Sequence, residues 1–287
     1  GSEVFEAAVK KIEAIEKAGS TITGVKTRFS QLDSMTAGLQ KSDMIILAAR
    51  PSMGKSALAL NIALNSAMVS SGACAIFSLE MPCEQLANRM LSAKAKVDGQ
   101  KIRKGQLNEA EWIKIKEAEQ ELKRQKIFFD DTPGIKISDM NAKCRKLKED
   151  YGLYLIIIDY IQLIQSNTKS ESRQQEVSDI SRKIKAMARE LDVPIIALSQ
   201  LSRSVESRND KRPMLSDLRE SGAIEQDADM VMFIYREDYY KKDEERNEKR
   251  EDVELIVAKH RNGPIGTVKL AFEKDINAFY SISNSEE

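Results

Sequence analysis

Histidine is almost absent: the 287 residues contain one, His260. A Ser-His-Asp or Cys-His mechanism therefore has little to work with, and His260 reads as a spacer or surface residue rather than a base. Cysteine is sparse too. Cys74, Cys83 and Cys144 are odd in number, far apart and without metal-ligand spacing, so they read as core thiols in a reducing compartment. No apolar stretch approaches the length needed to cross a bilayer and no signal peptide is visible, which predicts a cytoplasmic protein with no membrane partner. Net charge is also lacking, because 45 Lys plus Arg balance 45 Asp plus Glu. Any nucleic-acid binding must then come from a local patch. There is no internal repeat. What remains is a globular composition, long enough for one large domain or two ordinary ones around a full core. Gly1-Ser2 reads as an expression scar, with residues of a longer protein expected before it.

The organising stretch is Leu47-Ala-Ala-Arg-Pro-Ser-Met-Gly-Lys-Ser56. A short apolar run, Met44 to Ala49, reads as a buried strand, and Lys55 to Leu64 has helical periodicity. A tight loop between strand and helix turns backbone N–H groups around a phosphate, and the helix N-terminus adds free donors and positive partial charge. Ser52, Met53, Gly54, Lys55, Ser56 and Ala57 would form that cradle, with Lys55 on the β/γ-phosphates and the Ser56 hydroxyl on Mg2+. The match to G-x-x-x-x-G-K-[ST] is incomplete, since Ala49 occupies the first glycine position. A strand-to-helix turn that merely carries Gly-Lys-Ser is the competing reading.

Residues 3–18 are charged and helical, with Phe5, Ala8, Val9, Ile12 and Ile15 on one stripe, and they stop at the linker-like Gly19-Ser-Thr-Ile-Thr-Gly24. Isolated helices this short are marginal in water, so the stripe is expected to dock on a neighbouring subunit; folding back on its own domain is the alternative. The chain thus divides into a linker helix and hinge, 1–24, and one large domain, 25–287. From Phe29 strand and helix patterns alternate, which predicts an α/β fold with a mainly parallel sheet flanked by helices. Strands are expected at Met44–Ala49, Ala73–Leu79, Lys126–Asp130, Tyr154–Asp159, Pro194–Ser199 and Ala228–Tyr235. Helices are expected near 55–69, 84–95, 108–124, 138–150 and 173–191, with 84–124 as a small helical excursion. The mixed-charge block 236–252 reads as a solvated, mobile loop. Val253–Lys259, Gly266–Phe272 and Phe279–Ile282 then read as a C-terminal antiparallel meander turning at Asn262-Gly263.

Ligands of open α/β sheets bind beyond the carboxyl ends of the strands. The second strand delivers Glu80 there, the fourth delivers Asp159 after large aliphatics, and the fifth delivers Gln200. Asp159 could be a turn former and Glu80 a first-turn helix acid stabilised by the dipole. Gln200 alone says little. Their joint occurrence downstream of a phosphate loop points to nucleotide hydrolysis, which is mostly positioning and electrostatic stabilisation. Asp159 with Ser56 would hold Mg2+, Glu80 would polarise the attacking water and Gln200 would sense the γ-phosphate of ATP. The missing cation fits Arg261, beside Lys259, supplied from a neighbouring protomer; a surface cation near a hairpin turn is the other reading. The segment 201–222 carries Arg203, Arg208, Lys211, Arg212 and Arg219 and no aromatic residue. It is either a solvated loop or a sequence-insensitive grip on a phosphate backbone.

Taken together, Ala48 to Ser56, Phe77-Ser-Leu-Glu-Met81, Ile156 to Leu163, Ala197 to Arg203, Asp217 to Asp229 and Lys259-His-Arg-Asn-Gly-Pro264 resemble the C-terminal motor domain of the DnaB-type replicative helicases of bacteria and their phages. The similarity runs from about residue 22 to the end, and Ala49 matches that family's habit. The resemblance implies a RecA-like P-loop ATPase that forms a hexameric ring around single-stranded DNA and moves 5′ to 3′, separating the duplex. It implies that Lys259 and Arg261 act across the subunit interface, that Arg219, Glu220 and Gly222 hold the DNA backbone, and that residues 3–18 are the linker helix gripping a neighbour. The family's N-terminal collar, which engages primase, is not in this chain; primase and a helicase loader are expected partners of the full-length protein. A recombinase-like filament ATPase and a nucleotide-switched interaction module are the competing functions. The linker helix and the Asp217–Asp229 motif argue against the first, and Glu80 against the second.

Overall fold

Six consecutive apolar residues form strand β1, Met44–Ala49, and all six are buried. Such a run needs cover on both faces. Period-two alternation sends Ile45, Leu47 and Ala49 to one face, where they meet helix α3, Lys55–Ala67, and sends Met44, Ile46 and Ala48 to the other, under helix α8, Arg173–Leu191. In the computed structural model, residues 1–164, 172–241 and 249–282 are described, without the side chains of residues 219–221.

Strands β2 (Ala73–Ser78), β3 (Ile127–Asp130), β4 (Leu153–Asp159), β5 (Ile195–Gln200) and β6 (Met230–Tyr235) run parallel with β1. Strands β7 (Glu251–His260), β8 (Gly266–Glu273) and β9 (Ala278–Ser281) add the antiparallel meander that the sequence predicts. The nine-stranded order is β3-β2-β4-β5-β1-β6-β7-β8-β9. On β7 burial alternates at Val253, Leu255 and Val257, the pattern of a strand with one well-covered face.

The expected excursion between β2 and β3 has three helices rather than two: α4 (Cys83–Ala95), α5 (Gly99–Lys104) and α6 (Glu109–Arg124). They share a satellite core of Ala95, Val97, Ile115 and Ala118. Helix α6 starts in a reciprocal cap, in which Asn108 Oδ1 accepts from Glu111 N at 2.8 Å and Asn108 N donates to Glu111 Oε1 at 3.2 Å. Helix α5 escapes periodicity because six residues are under two turns. Two other short helices escape for the same reason, α2 (Ser30–Thr36) and α9 (Gly222–Asp227). Helix α7, Ile137–Tyr151, precedes β4 and packs against α8 and β2.

Helix α1, Ser2–Ala18, buries none of its residues, and Phe5 on its apolar stripe is 74% exposed. It does not fold back on the sheet. The hinge ends where Gly24 N donates to Ala37 O at 2.9 Å; a Cβ on Gly24 would stand 2.4 Å from Leu39 O, so only glycine fits there. Among the described residues no helix is long and apolar enough to cross a membrane. Cys74 and Cys144 are buried free thiols whose pKa burial pushes up, the core role expected for them, while Cys83 opens α4 half-buried.

The block 236–252 departs from a solvated loop at both ends. Arg236 is 5% exposed and ion-paired with Glu251, and residues 251 and 252 belong to β7. A charged residue is compatible with that burial because its counter-charge arrives from the next strand. Residues 242–248 of the block lie outside the described residues.

Candidate active site

The turn after β1 runs Arg50-Pro-Ser-Met-Gly54, with Ser52 at φ 67° and Gly54 at φ 94°, both left-handed. Gly54 needs its freedom twice over, since an added Cβ would also stand 3.1 Å from the Phe279 ring. Lys55 and Ser56 then begin α3, so the Ser56 hydroxyl lies in its first turn beside unpaired N–H groups.

Strand order carries the other groups here. With β4 and β5 between β2 and β1, the tips of four parallel strands stand in a row. Ser56 Oγ donates to Asp159 Oδ2 at 2.7 Å. Asp159 is 3% exposed, and its second oxygen, Oδ1, is buried with no hydrogen-bond partner. A buried, unsatisfied carboxylate oxygen beside a hydroxyl is costly unless a donor or a cation completes it. A hard cation that prefers oxygen ligands, such as Mg2+, fits this pair.

The Lys55 ammonium lies 4.7 Å from the centroid of the Tyr160 ring. Burial lowers its pKa, and the carboxylates of Asp159 and then Glu80 act to raise it. The same two acids act on Tyr160, whose pKa is raised by burial first and then by Glu80 and Asp159. Glu80 and Asp159 therefore face one buried cation, with Glu80 itself exposed to water. Gln200 pairs in register with Ala49, which sets it at the mouth of the phosphate-loop turn, and its side chain is exposed. Ser52, Met53, Gly54, Lys55, Ser56, Ala57, Glu80, Asp159 and Gln200 thus gather at one end of the sheet.

Lys259 and Arg261 do not join them. Antiparallel pairing sets His260 opposite Met230 at the start of β6, and Met230 beside Ile45 at the start of β1. The length of β1, roughly 17 Å at ~3.3 Å per residue, separates them from the phosphate-loop end. At that far end Arg261 Nη1 donates to Asp229 Oδ1 at 2.9 Å and Nη2 to Gln226 O at 2.9 Å; Lys259 Nζ donates to Glu225 O at 2.6 Å. Burial and then Arg261 lower the Lys259 pKa. His260 Nδ1 lies 3.0 Å from Pro264 O, a turn contact that agrees with a non-catalytic residue.

Two arginines that the sequence did not single out brace the turn. Arg236 Nη1 donates to Ser52 O at 3.0 Å while its guanidinium faces the Phe272 ring, 5.1 Å from the centroid. Arg50 is buried and joins the turn to the segment after β5, through Leu201 O at 2.7 Å and Glu206 Oε1 at 3.2 Å. Their only signal in the sequence is an arginine directly after an apolar strand, which equally marks a solvated loop.

The basic segment 201–222 is largely spoken for. Arg208 forks onto Asp217, Arg212 pairs with Glu254, and Lys211 lies over the Tyr240 ring at 5.6 Å. Its positive charge is thus partly neutralised by acids from β7 and from its own 3₁₀ turn, Leu215–Ser221. The side chains of Arg219 and Glu220 lie outside the described residues; Gly222 opens α9.

Near the far end, Asp43 precedes β1. Burial, and then the Asp229 carboxylate, push its pKa up to about 6 against the pull of Lys185, His260 and Arg261. A carboxyl raised on folding holds its proton more tightly in the native state. Its ionised form therefore costs stability above about pH 6, and the cost fades as pH falls towards 4. Asp43→Asn is expected to melt above the parent protein near pH 8 and to lose that advantage by about pH 4. A melting-temperature difference that does not change with pH would contradict this.

A family model described as the DnaB-like helicase C terminal domain matches residues 24–281. The chain is 56% identical over 272 residues to the replicative DNA helicase DnaB of Geobacillus stearothermophilus, covering 94% of this chain and 59% of that protein. It is 55% identical over 272 residues to the replicative DNA helicase DnaC of Bacillus subtilis (strain 168), with the same coverage. The chain thus spans about three fifths of the length of these relatives. Among solved structures, one described as an ATPase domain superposes with a TM-score of 0.90 at 44% identity, covering 98% of this chain and 99% of that one. A DnaB-like replicative helicase described with its interactions with primase superposes with a TM-score of 0.88 at 44% identity, covering 97% of this chain and 66% of that one.

Proposed function

The chain belongs to the DnaB-like helicase C-terminal domain family, and from that premise we propose that it is the ATP-driven motor of a replicative DNA helicase. In this reading it works in the bacterial or phage-infected cytoplasm, as one protomer of a hexameric ring that moves 5′ to 3′ on single-stranded DNA and parts the duplex ahead. The observation that carries the reading is the meeting of Lys55, Ser56, Glu80 and Asp159 at adjacent strand tips, with a buried oxygen of Asp159 left to be satisfied.

Backbone N–H groups from Ser52 to Ala57 would wrap the β- and γ-phosphates, and Lys55 would neutralise them. Ser56 and Asp159 would hold Mg2+, which supplies further charge neutralisation on the phosphates. Glu80, exposed on the same side, orients the attacking water and draws off its proton, and Gln200 reports the γ-phosphate to the segment that follows it. Arg236 and Arg50 keep the turn in its left-handed shape, one by its Ser52 carbonyl and the other by its tie to residues 201–206.

The site lacks one component that its own protomer cannot supply. Lys259 and Arg261 sit a strand length away, which supports their delivery to the site of an adjacent copy. The exposed stripe of α1 supports such an assembly, since a helix with Val4, Phe5, Val9 and Ile12 in water lowers its free energy by burying them on a neighbour. Arg219, Glu220 and Gly222 would hold the DNA backbone in the ring's channel. Primase and a loader would engage the longer protein.

A forked duplex with a 5′ single-stranded tail tests this. Unwinding is expected to require both ATP and the tail, whereas a filament-forming ATPase or a nucleotide-gated binding module would leave the fork paired. Glu80→Ala is expected to bind ATP about as well as the parent while turnover falls roughly 10²–10⁴-fold, the usual loss on removing a general base. Equal turnover in that variant would show that Glu80 has no part in activating water.

A further inference from the structure

The cations assigned above to a neighbour's triphosphate already have an occupation. Helix α9, Gly222–Asp227, begins at the proposed DNA-holding residue Gly222 and ends on carbonyls that those same cations clasp. Lys259 Nζ donates to Glu225 O at 2.6 Å and reaches Gln226 O at 3.5 Å, while Arg261 Nη2 donates to Gln226 O at 2.9 Å. The last carbonyls of a helix have no partner within it, so each is an acceptor that a cation stabilises. The other end of the Arg261 fork rests on Asp229, a buried carboxylate that also accepts Met44 N at 2.8 Å and Lys185 Nζ at 2.6 Å. Met44 starts the strand that carries the phosphate loop, and Lys185 belongs to α8, to which α9 is further tied by Ser181 Oγ donating to Asp227 Oδ2 at 2.8 Å.

We propose that Asp229 is a positioning residue that parks Arg261, and with it Lys259, on the carboxyl end of α9, so that a γ-phosphate on the adjacent protomer and the DNA-holding end of α9 compete for the same two cations. The proposal rests on the reading of Lys259 and Arg261 as groups delivered in trans. A γ-phosphate is a denser negative charge than two carbonyl oxygens, and it draws the ammonium and guanidinium towards it. Helix α9 then loses its C-terminal clasp and is free to shift about its remaining tie to α8, which changes the set of the loop at its other end. By reciprocity, DNA that fixes this loop alters how readily the cations leave for the neighbour. Six residues form a short rigid strut, so a displacement at one end reaches the other without being absorbed along the way.

The test is the ratio of affinities for a fluorescent oligothymidylate measured in a non-hydrolysable ATP analogue and in ADP, together with hydrolysis in the absence of DNA. In the parent protein the ratio is expected in the range of roughly 5–150-fold found for coupled sites. Asp229→Asn, which keeps the shape but discharges the park, is expected to bring that ratio to within about twofold of one, while DNA-free hydrolysis stays within about threefold of the parent. A ratio unchanged by Asp229→Asn overturns the proposal. Should that variant fail to fold, Asp229→Glu keeps the charge but moves the carboxylate by one methylene, and the ratio is again expected to fall; a parental ratio in Asp229→Glu overturns the proposal just as well. A purely structural role would lower both affinities together and leave the ratio in place. Absence of nucleotide-dependent DNA binding in the parent protein itself would instead remove the functional reading on which this coupling stands.

Discussion

Lys55→Ala is expected to lower ATP hydrolysis by at least about 10³-fold and to weaken ATP binding as well, with the fold retained. The charge logic is local. Lys55 is the buried cation on which Asp159 and Glu80 both act, and its ammonium stands at the turn where the phosphates would lie. Its removal leaves those acids facing a polyanion with no fixed positive charge between them. The resulting repulsion acts on bound nucleotide and on the transition state alike, so binding and turnover both fall. Folding is expected to survive because α3 is held by nine buried residues that follow Lys55, among them Leu58, Leu60 and Ile62. The measurements are steady-state hydrolysis, equilibrium binding of a fluorescent ATP analogue and far-ultraviolet circular dichroism. Hydrolysis within about tenfold of the parent in a folded Lys55→Ala protein would show that this turn is not the phosphate site.

Arg261→Ala is expected to reduce hydrolysis by roughly 10³–10⁵-fold, the range associated with an arginine delivered to a phosphoryl transition state. ATP binding should change much less, because the residue lies a strand length from its own phosphate loop. Mixing gives the sharper result. A protomer with Lys55→Ala retains Arg261, and a protomer with Arg261→Ala retains Lys55, so mixed rings contain junctions at which both groups are intact. Two preparations that are each inactive should recover a measurable fraction of parental hydrolysis once subunits exchange. If Arg261→Ala alone keeps parental turnover, or if the mixture stays silent despite demonstrated exchange, trans delivery is wrong.

The two variants differ in how visible their rationale is from the chain alone. Gly54-Lys55-Ser56 after six apolar residues announces a phosphate loop, because local geometry and local chemistry coincide within ten residues. Asp159 and Glu80 were legible in the same way, each ending an apolar run. The basic segment was misleading, because charge counted along the chain ignores counter-charges brought from elsewhere: Glu254 of β7 answers Arg212, and Asp217 answers Arg208. The block from Arg236 misled for the same reason, since Glu251 lies 15 positions away and is directly adjacent in space.

What the sequence determined by itself is whatever depends on neighbours along the chain: the strands, most of the helices, the phosphate-loop turn, and which acids stand at strand ends. These follow from periods of two and 3.6 residues and from the fixed preferences of glycine and apolar side chains. What only the tertiary structure decided is lateral. The order β3-β2-β4-β5-β1-β6-β7-β8-β9 sets Asp159 against Ser56 and sends Arg261 to the opposite end from Lys55. It also brings Arg236 to the Ser52 carbonyl across 184 residues of sequence. Strand order is a choice among sheets that bury nearly the same apolar surface, and that choice is made by packing between residues far apart in the chain, on which local periodicity carries no information.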